Sequence, residues 1–518
     1  MKKRAQHPDA RTYTIIFNGC ANLPSAMGSH EKILPIYYSM LTDRSPINPN
    51  TIHMNAILKM CARAQNMDAL YTIMDKLPTK GLRAANNLTY TTILNAFRAY
   101  AVNDLRIPLT SELRGDNRRK VLLDARRLWQ DVTKRWLQGE LWIDEELACA
   151  MGRILLLGGG QDHDDIMSLC EQTMNIPRQV PRAQLRSKKL IESRGEEITA
   201  DGEDGEHESA PTGIETETAK YDPDAAAIDQ FETTIVTKSP RTSATVYCKP
   251  GRNTLSVLMQ SFLGMRQRVP ATRYWELLTQ EYGVVPDAEN YHAYLRVLRV
   301  ARASTEVVNV LSKMPQPYME NKTFRIAIAA CGRDKNNRHS FENAGRIIDI
   351  MQDTKRTPDV RTLDTYLDVA INSPTGTKAS SNGEYMRSKL VLGQQIIKAI
   401  TRIVPSYVNI RALLEHSNTR RTEYVGSDNL VKDAIALTRK LISAHDQLIK
   451  QNLVPREQHA KLARQRSKLT AFVTKYNLEP DPEPSPSIPF DTNYQTMLIP
   501  DEDLDAQVQR MQEASQAS

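Results

Sequence analysis

The most regular feature of the chain is a spacing of apolar residues that recurs along it. Three early sets share the spacing i, i+3, i+4, i+7: Tyr13, Ile16, Phe17, Cys20; Met54, Ile57, Leu58, Cys61; and Tyr90, Ile93, Leu94, Phe97. This spacing places the apolar side chains on one face of an amphipathic helix. Sets in the same phase begin at Tyr291, Phe324 and Leu363, and weaker ones at Ala148 and Thr254. The pattern therefore predicts eight related helices.

A second apolar helix is predicted after several of these, for example over residues 69–74, 307–314 and 347–351. Breakers such as Pro49-Asn50, Pro286-Asp287 and Pro358-Asp359 precede the next unit, since Pro ends a helix and Asn or Asp caps one. The predicted units start at residues 10, 51, 87, 145, 251, 288, 321 and 360. Most intervals are near the length of a helix–turn–helix repeat, which buries its apolar face only against its neighbours.

The strings DARTYTIIFNGCA, TIHMNAILKMCARA, NLTYTTILNAFRAY and KTFRIAIAACGRD resemble the pentatricopeptide repeat (PPR). That repeat opens with Tyr-x-x-Leu/Ile-Ile, has a small residue or Cys at position 11, and ends near Pro-Asp. The Trp and Gly-Tyr signature of the tetratricopeptide repeat is missing from the first helices. The resemblance implies an all-α, PPR-like helix–turn–helix solenoid of about eight repeats, with a disordered acidic insertion and a small helical C-terminal region.

Composition shifts divide the chain into five predicted segments. They are a first PPR-like array (1–177), an acidic disordered insertion (178–249), a second PPR-like array (250–404), basic C-terminal helices (405–476) and an acidic, Pro-rich tail (477–518).

Charge is strongly segregated among these segments. Residues 192–232 carry a net charge of −12 and residues 477–518 carry −8. Because the whole chain carries +7, the remaining residues carry +27. This excess favours a polyanionic partner such as nucleic acid, with a merely solvated basic surface as the alternative.

The resemblance implies RNA-reading positions in the first array. PPR proteins read RNA with the fifth residue of a repeat and the last residue before the next repeat. Mapped here, these are Thr14 with Asn50, Asn55 with Asn86, and Thr91 with Asp144. The implied bases are adenine, a pyrimidine (cytosine first) and guanine. The later fifth residues depart from the Thr, Ser or Asn preference of the family: Cys149, Leu255, His292, Arg325 and Asp364. The second array is therefore expected to bind phosphates, a folded RNA or a protein instead.

Two basic clusters are candidates for phosphate contact. The first contains Arg118, Arg119, Lys120, Arg126 and Arg127, and the second contains Arg456, Lys461, Arg464, Arg466 and Lys468. A charge run of this kind also fits the solvated face of a helix.

The sequence offers no catalytic or cofactor motif. Glycines 158–160 lack the phosphate-loop ending, and residues 162–165 (Asp-His-Asp-Asp) are interpreted as a turn and helix start rather than a metal site. Cys20, Cys61 and Cys331 share one repeat position and are interpreted as small packing residues. No apolar run is long enough to span a membrane. We therefore predict a protein that is not an enzyme and has no cofactor or metal.

The predicted function is non-catalytic RNA binding in mitochondrial gene expression. The resemblance implies an organelle, and we favour the mitochondrial matrix although no clear presequence is present. The favoured partner is single-stranded RNA of the mitochondrial small ribosomal subunit, during 5′-end processing, assembly or translation, together with mitochondrial ribosomal proteins. The alternatives are a factor for mitochondrial mRNA stability, processing or translation, and a protein-only helical scaffold.

Overall fold

The structure is a computed structural model, and it describes residues 8–22, 29–42, 45–78, 81, 84–102, 111–181, 246–355, 358–373, 382–419 and 427–475. Nearly all of the predicted acidic insertion and the whole acidic tail lie outside these residues. Within the described residues every long regular element is a helix, and sixteen of the helices form eight consecutive pairs. The predicted fold class, an all-α solenoid of PPR-like helix pairs, is confirmed for this part of the chain.

The first helices of the eight pairs form what we call the first-helix row. They are α1 (Ala10–Asn22), α3 (Thr51–Ala64), α5 (Asn87–Val102), α7 (Glu145–Leu155), α9 (Arg252–Met265), α11 (Ala288–Val300), α13 (Asn321–Arg333) and α15 (Val360–Asn372).

The second helices form the second-helix row and vary more in length. They are α2 (Ser29–Met40), α4 (Met67–Met74), α6 (Ser111–Leu137), α8 (Gly160–Met174), α10 (Arg268–Glu276), α12 (Ser304–Lys313), α14 (Ser340–Thr354) and α16 (Asn382–Thr419). A π-helical turn, Leu277–Glu281, directly follows α10.

Seven of the eight predicted repeat starts coincide with the first residue of a helix. The exception is α9, which begins at Arg252 with Gly251 as its N-cap, one residue later than predicted. The fifth residue of this repeat is therefore Ser256. Leu255, which was assigned to that position, is fully buried instead.

Burial of both flanks of each first helix holds the row together. In α3, Met54, Ile57, Leu58 and Cys61 are buried, and the helix packs against α1 on one side and α5 on the other. The same contact joins every successive pair of first helices as far as α15. Each repeat thus buries its apolar surface against its neighbours, as expected for a solenoid.

The row continues where the sequence is interrupted by the predicted insertion. Helices α7 and α8 both pack against α9, although the described chain breaks between residues 181 and 246. Further along, α16 runs through residue 404, the predicted end of the second array. The predicted domain boundaries stay predictions.

The described chain forms two compact units, the second of which begins at Ala434. Most of α17 (Ser427–Lys450) and all of α18 (Arg456–Lys475) belong to it. Within this unit Arg466 donates two hydrogen bonds to Asp446, at 2.6 and 3.1 Å. None of the described helices combines the length and the apolar character that a membrane span requires.

A buried ion cluster joins α6 to α8. Arg126 is only 4% exposed, and its guanidinium donates to Asp162 at 2.5 Å and to Asp165 at 2.8 Å. Nearby, Arg178 donates to Asp164 at 2.8 Å. Arg126 is therefore a structural residue that cannot reach a phosphate, contrary to its place in the predicted basic cluster. The carboxylates of residues 162–165 thus bind Arg126 of α6 and Arg178, which follows α8.

Replacing Arg126 should destabilise the fold strongly, because a buried carboxylate loses its counter-charge. We expect Arg126→Met to lower the free energy of unfolding by about 3–5 kcal/mol. Denaturant unfolding followed by circular dichroism measures this. Arg127→Met, at a largely exposed neighbour, is the matched control and should change it by less than about 0.5 kcal/mol. Equal effects of the two substitutions would contradict the assignment.

The four buried cysteines are packing residues whose thiols are poorly ionised. Cys61, Cys149, Cys170 and Cys331 are buried, and Cys20 and Cys248 are half-buried. Burial raises the pKa of Cys61, Cys149 and Cys331 to about 12. Since the thiolate is the nucleophile, these thiols have little reactivity at neutral pH.

We expect a small alkylating reagent at neutral pH to label Cys20 first in the native protein. Cys61, Cys149, Cys170 and Cys331 should be labelled only after denaturation, because each is both buried and protonated. Peptide mass spectrometry at successive times gives the order. Rapid native labelling of any buried cysteine would show that its repeat opens.

Candidate nucleic-acid interface

Most first helices begin directly after a polar residue, and three of the predicted RNA-reading residues cap a first helix. The side chain of Asn50 accepts a bond from His53 N at 2.9 Å, Asn86 accepts one from Thr89 N at 3.0 Å, and Asp144 accepts one from Leu147 N at 2.9 Å. These bonds satisfy backbone donors that the helix leaves unpaired. They also fix each cap side chain in one orientation at the end of a repeat.

The caps differ in what they leave available for a ligand. Asn86 is exposed, and its oxygen takes both bonds from Thr89, so its amide group is directed to other partners. Both carboxylate oxygens of Asp144 are engaged, because the second accepts a bond from Asn87 at 2.7 Å. Asn86 is therefore better placed to donate a hydrogen bond to a base than Asp144 is to accept one.

A direct contact between a fifth residue and a cap occurs in the seventh repeat. Arg325, the fifth residue of α13, donates to both oxygens of Asp359, the cap of α15, at 2.9 and 2.7 Å. The two positions that the resemblance pairs are thus neighbours in this solenoid. By the equivalence of the repeats, Asn55 is expected beside Asn86.

The three fifth residues of the first array are in different environments. Thr14 donates to Ala10 O at 3.0 Å and lies 3.0 Å from His53 Nε2, so its hydroxyl is engaged within the protein. Thr91 is only 5% exposed. Asn55 is half-buried, and its Oδ1 is buried without a hydrogen-bond partner among the described residues. An unpaired buried amide oxygen is costly unless a ligand satisfies it.

Two exposed apolar residues on the first-helix row were missed by the sequence analysis. Ile52 is 57% exposed and Leu88 is 55% exposed, and each is the second residue of its helix. A second residue lies one turn from the fifth on the same face. Ile52 therefore lies near Asn55 and Leu88 near Thr91, and each offers exposed apolar surface to a base. They could have been recognised in the sequence as apolar residues that lie outside the buried i, i+3, i+4, i+7 set.

In three of the later repeats the fifth residue contacts the next repeat. Cys149 Sγ lies 3.7 Å from Thr254 Oγ1, and His292 Nε2 lies 2.8 Å from Thr323 Oγ1. His292 is fully buried, and burial lowers its pKa, which favours the neutral imidazole. Together with the Arg325–Asp359 pair, these contacts use within the protein the groups that a base would need.

The predicted basic clusters lie on helices outside the first-helix row. Arg118 and Arg119 are exposed on α6, in the second-helix row, and Arg119 pairs with Asp116 at 2.5 Å. Arg456 and Arg464 are exposed on α18, in the second compact unit. The structure therefore does not bring the predicted base-reading and phosphate-binding residues of the first array onto one row. In the described part of the chain, no three His, Cys, Asp or Glu side chains are grouped to bind a metal.

Comparison with known proteins gives only distant likenesses. No family model and no curated protein sequence matches the chain. Two similar solved structures are of the pentatricopeptide repeat protein PPR10 in complex with an 18-nt psaJ RNA element, one with three cysteines substituted. Both are 14% identical to this chain with a TM-score of 0.23, over 92% of this chain and 66% of PPR10.

A third similar structure is of PPR10 from maize, at 12% identity and a TM-score of 0.17, over 93% of this chain and 76% of that one. This chain thus spans less than two thirds of the length of PPR10 in the two complexes. Superpositions this poor add no argument of their own. The PPR-like architecture is established by the helix pairs and caps described above.

The Arg325–Asp359 pair should make stability depend on pH. Burial raises the pKa of Asp359, but the bonds from Arg325 and Thr362 outweigh burial and hold it below its usual value. A lowered pKa stabilises the fold above about pH 4, and this contribution is lost as the pH falls through the lowered value.

We expect Arg325→Gln to reduce the free energy of unfolding at neutral pH by about 1 kcal/mol, a value that allows for the partial exposure of Arg325. The difference from the wild type should shrink as the solution is acidified below about pH 4. Denaturant unfolding across this range measures it, with Arg333→Gln, an exposed arginine of the same helix, as control. A difference that does not change with pH would exclude the Asp359 contribution.

Proposed function

We propose that this chain is a PPR-type protein that binds single-stranded RNA without catalysing a reaction. The observation that carries the proposal is the contact between a fifth residue and the following cap, seen for Arg325 and Asp359. In the second repeat these two positions hold the half-buried Asn55 and the exposed Asn86, whose amide groups can match the donor and acceptor groups on the edge of a base. Because RNA in single strands exposes these edges, a single strand is the fitting ligand.

The apolar and charge distributions support the same ligand. Ile52 and Leu88 offer surfaces on which bases can stack on either side of the Asn55–Asn86 pair. The positive charge outside the two acidic segments favours a polyanion. The similar PPR10 structures contain an RNA element, and we extend RNA binding to this chain as a proposal.

Within the proposal, the two arrays have different tasks. The first array reads bases, chiefly through Asn55 and Asn86. Two fifth residues of the second array, His292 and Arg325, are bonded to the neighbouring repeat, so in our proposal that array contributes contacts that do not depend on base identity. Arg118, Arg119, Arg456 and Arg464 remain candidates for phosphate contact outside the first-helix row.

We further propose that the RNA is mitochondrial, and that it is ribosomal RNA of the small subunit. Two acidic segments on a basic, RNA-binding body suit a protein that works among ribosomal RNA and ribosomal proteins. A factor for the stability, processing or translation of mitochondrial mRNA is the second candidate. A protein-only scaffold is the third, and it predicts no RNA affinity and little effect of salt.

Removing the Asn55 and Asn86 amides should weaken base reading. We expect Asn55→Ala with Asn86→Asp to weaken binding to RNA with a pyrimidine at the cognate position by about 1–3 kcal/mol. Asp at 86 retains the oxygen that caps α5, so the loss reflects the ligand and not the fold. Fluorescence anisotropy measures the affinities.

Matched RNAs with a purine at that position serve as the control and should lose little. An equal loss on both RNAs would exclude base reading by this pair. Leu88→Ala, which removes a stacking surface, should instead weaken binding to both RNAs.

Ultraviolet crosslinking in cells, followed by sequencing of the attached RNA, distinguishes the candidate functions. Reads on small-subunit ribosomal RNA or its precursor are the expected result. Reads confined to one or a few mRNAs would favour the second candidate. Absence of crosslinked RNA, together with association that does not change with salt, would favour the scaffold, because phosphate contacts release counterions.

A further inference from the structure

The fourth and fifth repeats meet where α7 packs against α9, a contact that we call the join. It differs from the contacts between other repeats in how the start of the second of the two helices is capped. Helix α9 starts after Gly251, which has no side chain to cap it. The cap comes instead from Glu145, the first residue of α7 in the preceding repeat. Its Oε1 accepts hydrogen bonds from both Thr254 N and Thr254 Oγ1, each at 2.9 Å. One carboxylate thus caps a helix that lies more than one hundred residues further along the chain.

The Glu145 carboxylate occupies the space that a side chain at residue 251 would need. A Cβ at residue 251 would lie 2.5 Å from Oε2 and 2.8 Å from Oε1 of Glu145. The backbone of Gly251 is extended, with φ of −137°, so other residues could adopt its conformation. The reason for glycine at this position is therefore the space that the Glu145 carboxylate occupies.

Two further contacts fix α9 against α7. Arg153, two turns after Glu145, donates to Asn253 at 3.0 Å. A Cβ at Gly152 would lie 2.8 Å from Val257 Cγ1, so the glycine allows the two helices to approach closely. Glu145 at the start of α7 and Arg153 near its end therefore hold both the rotation and the position of α9 along the row.

The residues on either side of the segment that interrupts the array are hydrogen-bonded to α8, the second helix of the fourth repeat. On the departing side, Arg178 donates to Ser168 at 2.6 Å and to Asp164. On the returning side, Cys248 N donates to Thr173 O at 3.0 Å. All three partners belong to α8. The chain therefore returns next to the point where it leaves, and α9 continues the row that α7 ends.

We infer that Glu145 is a positioning residue that keeps repeats four and five in the register of an uninterrupted array, so that one RNA strand runs across the join. This inference rests on the proposed function. It assigns the two arrays a single ligand strand instead of two separate ones. Binding by each array then raises the effective concentration of the strand at the other, and the gain depends on the geometry that Glu145 fixes.

The test compares two synthetic RNAs on the full chain. The short RNA carries only the bases expected for the first array, adenine, cytosine and guanine. The long RNA carries the same bases within uridine runs that extend far enough on both sides to reach the second array. The wild type should bind the long RNA at least about tenfold more tightly than the short one.

Two substitutions at one residue separate the hydrogen bonds from the charge. Glu145→Ala removes the acceptor, and we expect it to abolish most of the advantage of the long RNA while leaving the affinity for the short RNA unchanged. Glu145→Gln removes the same charge but retains an oxygen that can accept both bonds, and it should keep most of the advantage. Equal loss on both RNAs, or an unchanged advantage in Glu145→Ala, would overturn the inference.

A double variant separates positioning from capping. In Glu145→Ala with Gly251→Asn, the asparagine has room and can cap α9 locally, as Asn50 caps α3. We expect this variant to recover the thermal stability lost in Glu145→Ala but not the advantage of the long RNA. If the double variant again bound the long RNA more tightly than the short one, Glu145 would act only as a helix cap, and the inference would be overturned. If the wild type binds neither RNA, the proposed function fails, and with it this inference.

Discussion

The structure depends on the inability of any one repeat to bury its apolar residues alone. The residues at i, i+3, i+4 and i+7 of α3 are buried because α1 and α5 lie on either side of it and α2 and α4 also pack against it. Each first helix between α1 and α15 therefore packs against two other first helices, and the distance between successive helices is set by side-chain volume. The same constraint aligns the starts of the helices along one edge of the row, where the polar caps collect.

That alignment creates a competition for each fifth residue. The side chain lies next to the cap and the third residue of the following helix, and it can bond to these groups or to a ligand. His292 and Arg325 bond within the protein, whereas Asn55 retains an oxygen without a partner. The length and charge of the fifth side chain therefore decide whether it bonds within the protein or is available to a ligand. Replacing His292 or Arg325 by a shorter polar residue would remove the bond to the next repeat and leave that position available to a ligand.

The periodicity of apolar residues was sufficient to place seven first helices to the residue, because their caps are the residues directly before them. It failed by one residue at α9, because the set that begins at Thr254 was chosen there instead of the fully buried set Leu255, Leu258, Met259 and Phe262, which has the same spacing. The burial of Arg126 was missed for a different reason, since its partners Asp162 and Asp165 are far away in sequence and carry no periodic signal. Local patterns place helices, whereas ion pairs between residues distant in sequence have no local signal.

The anchoring of residues 178 and 248 to one helix has a consequence for how this chain can change in length. The ends of the intervening segment are held together by α8 whatever lies between them. The entropy of closing a loop rises slowly, by about 0.6 kcal/mol for each doubling of its length. The join is therefore a permissive position, where residues can be gained, lost or replaced by a foreign domain while the row of helices beside it stays intact.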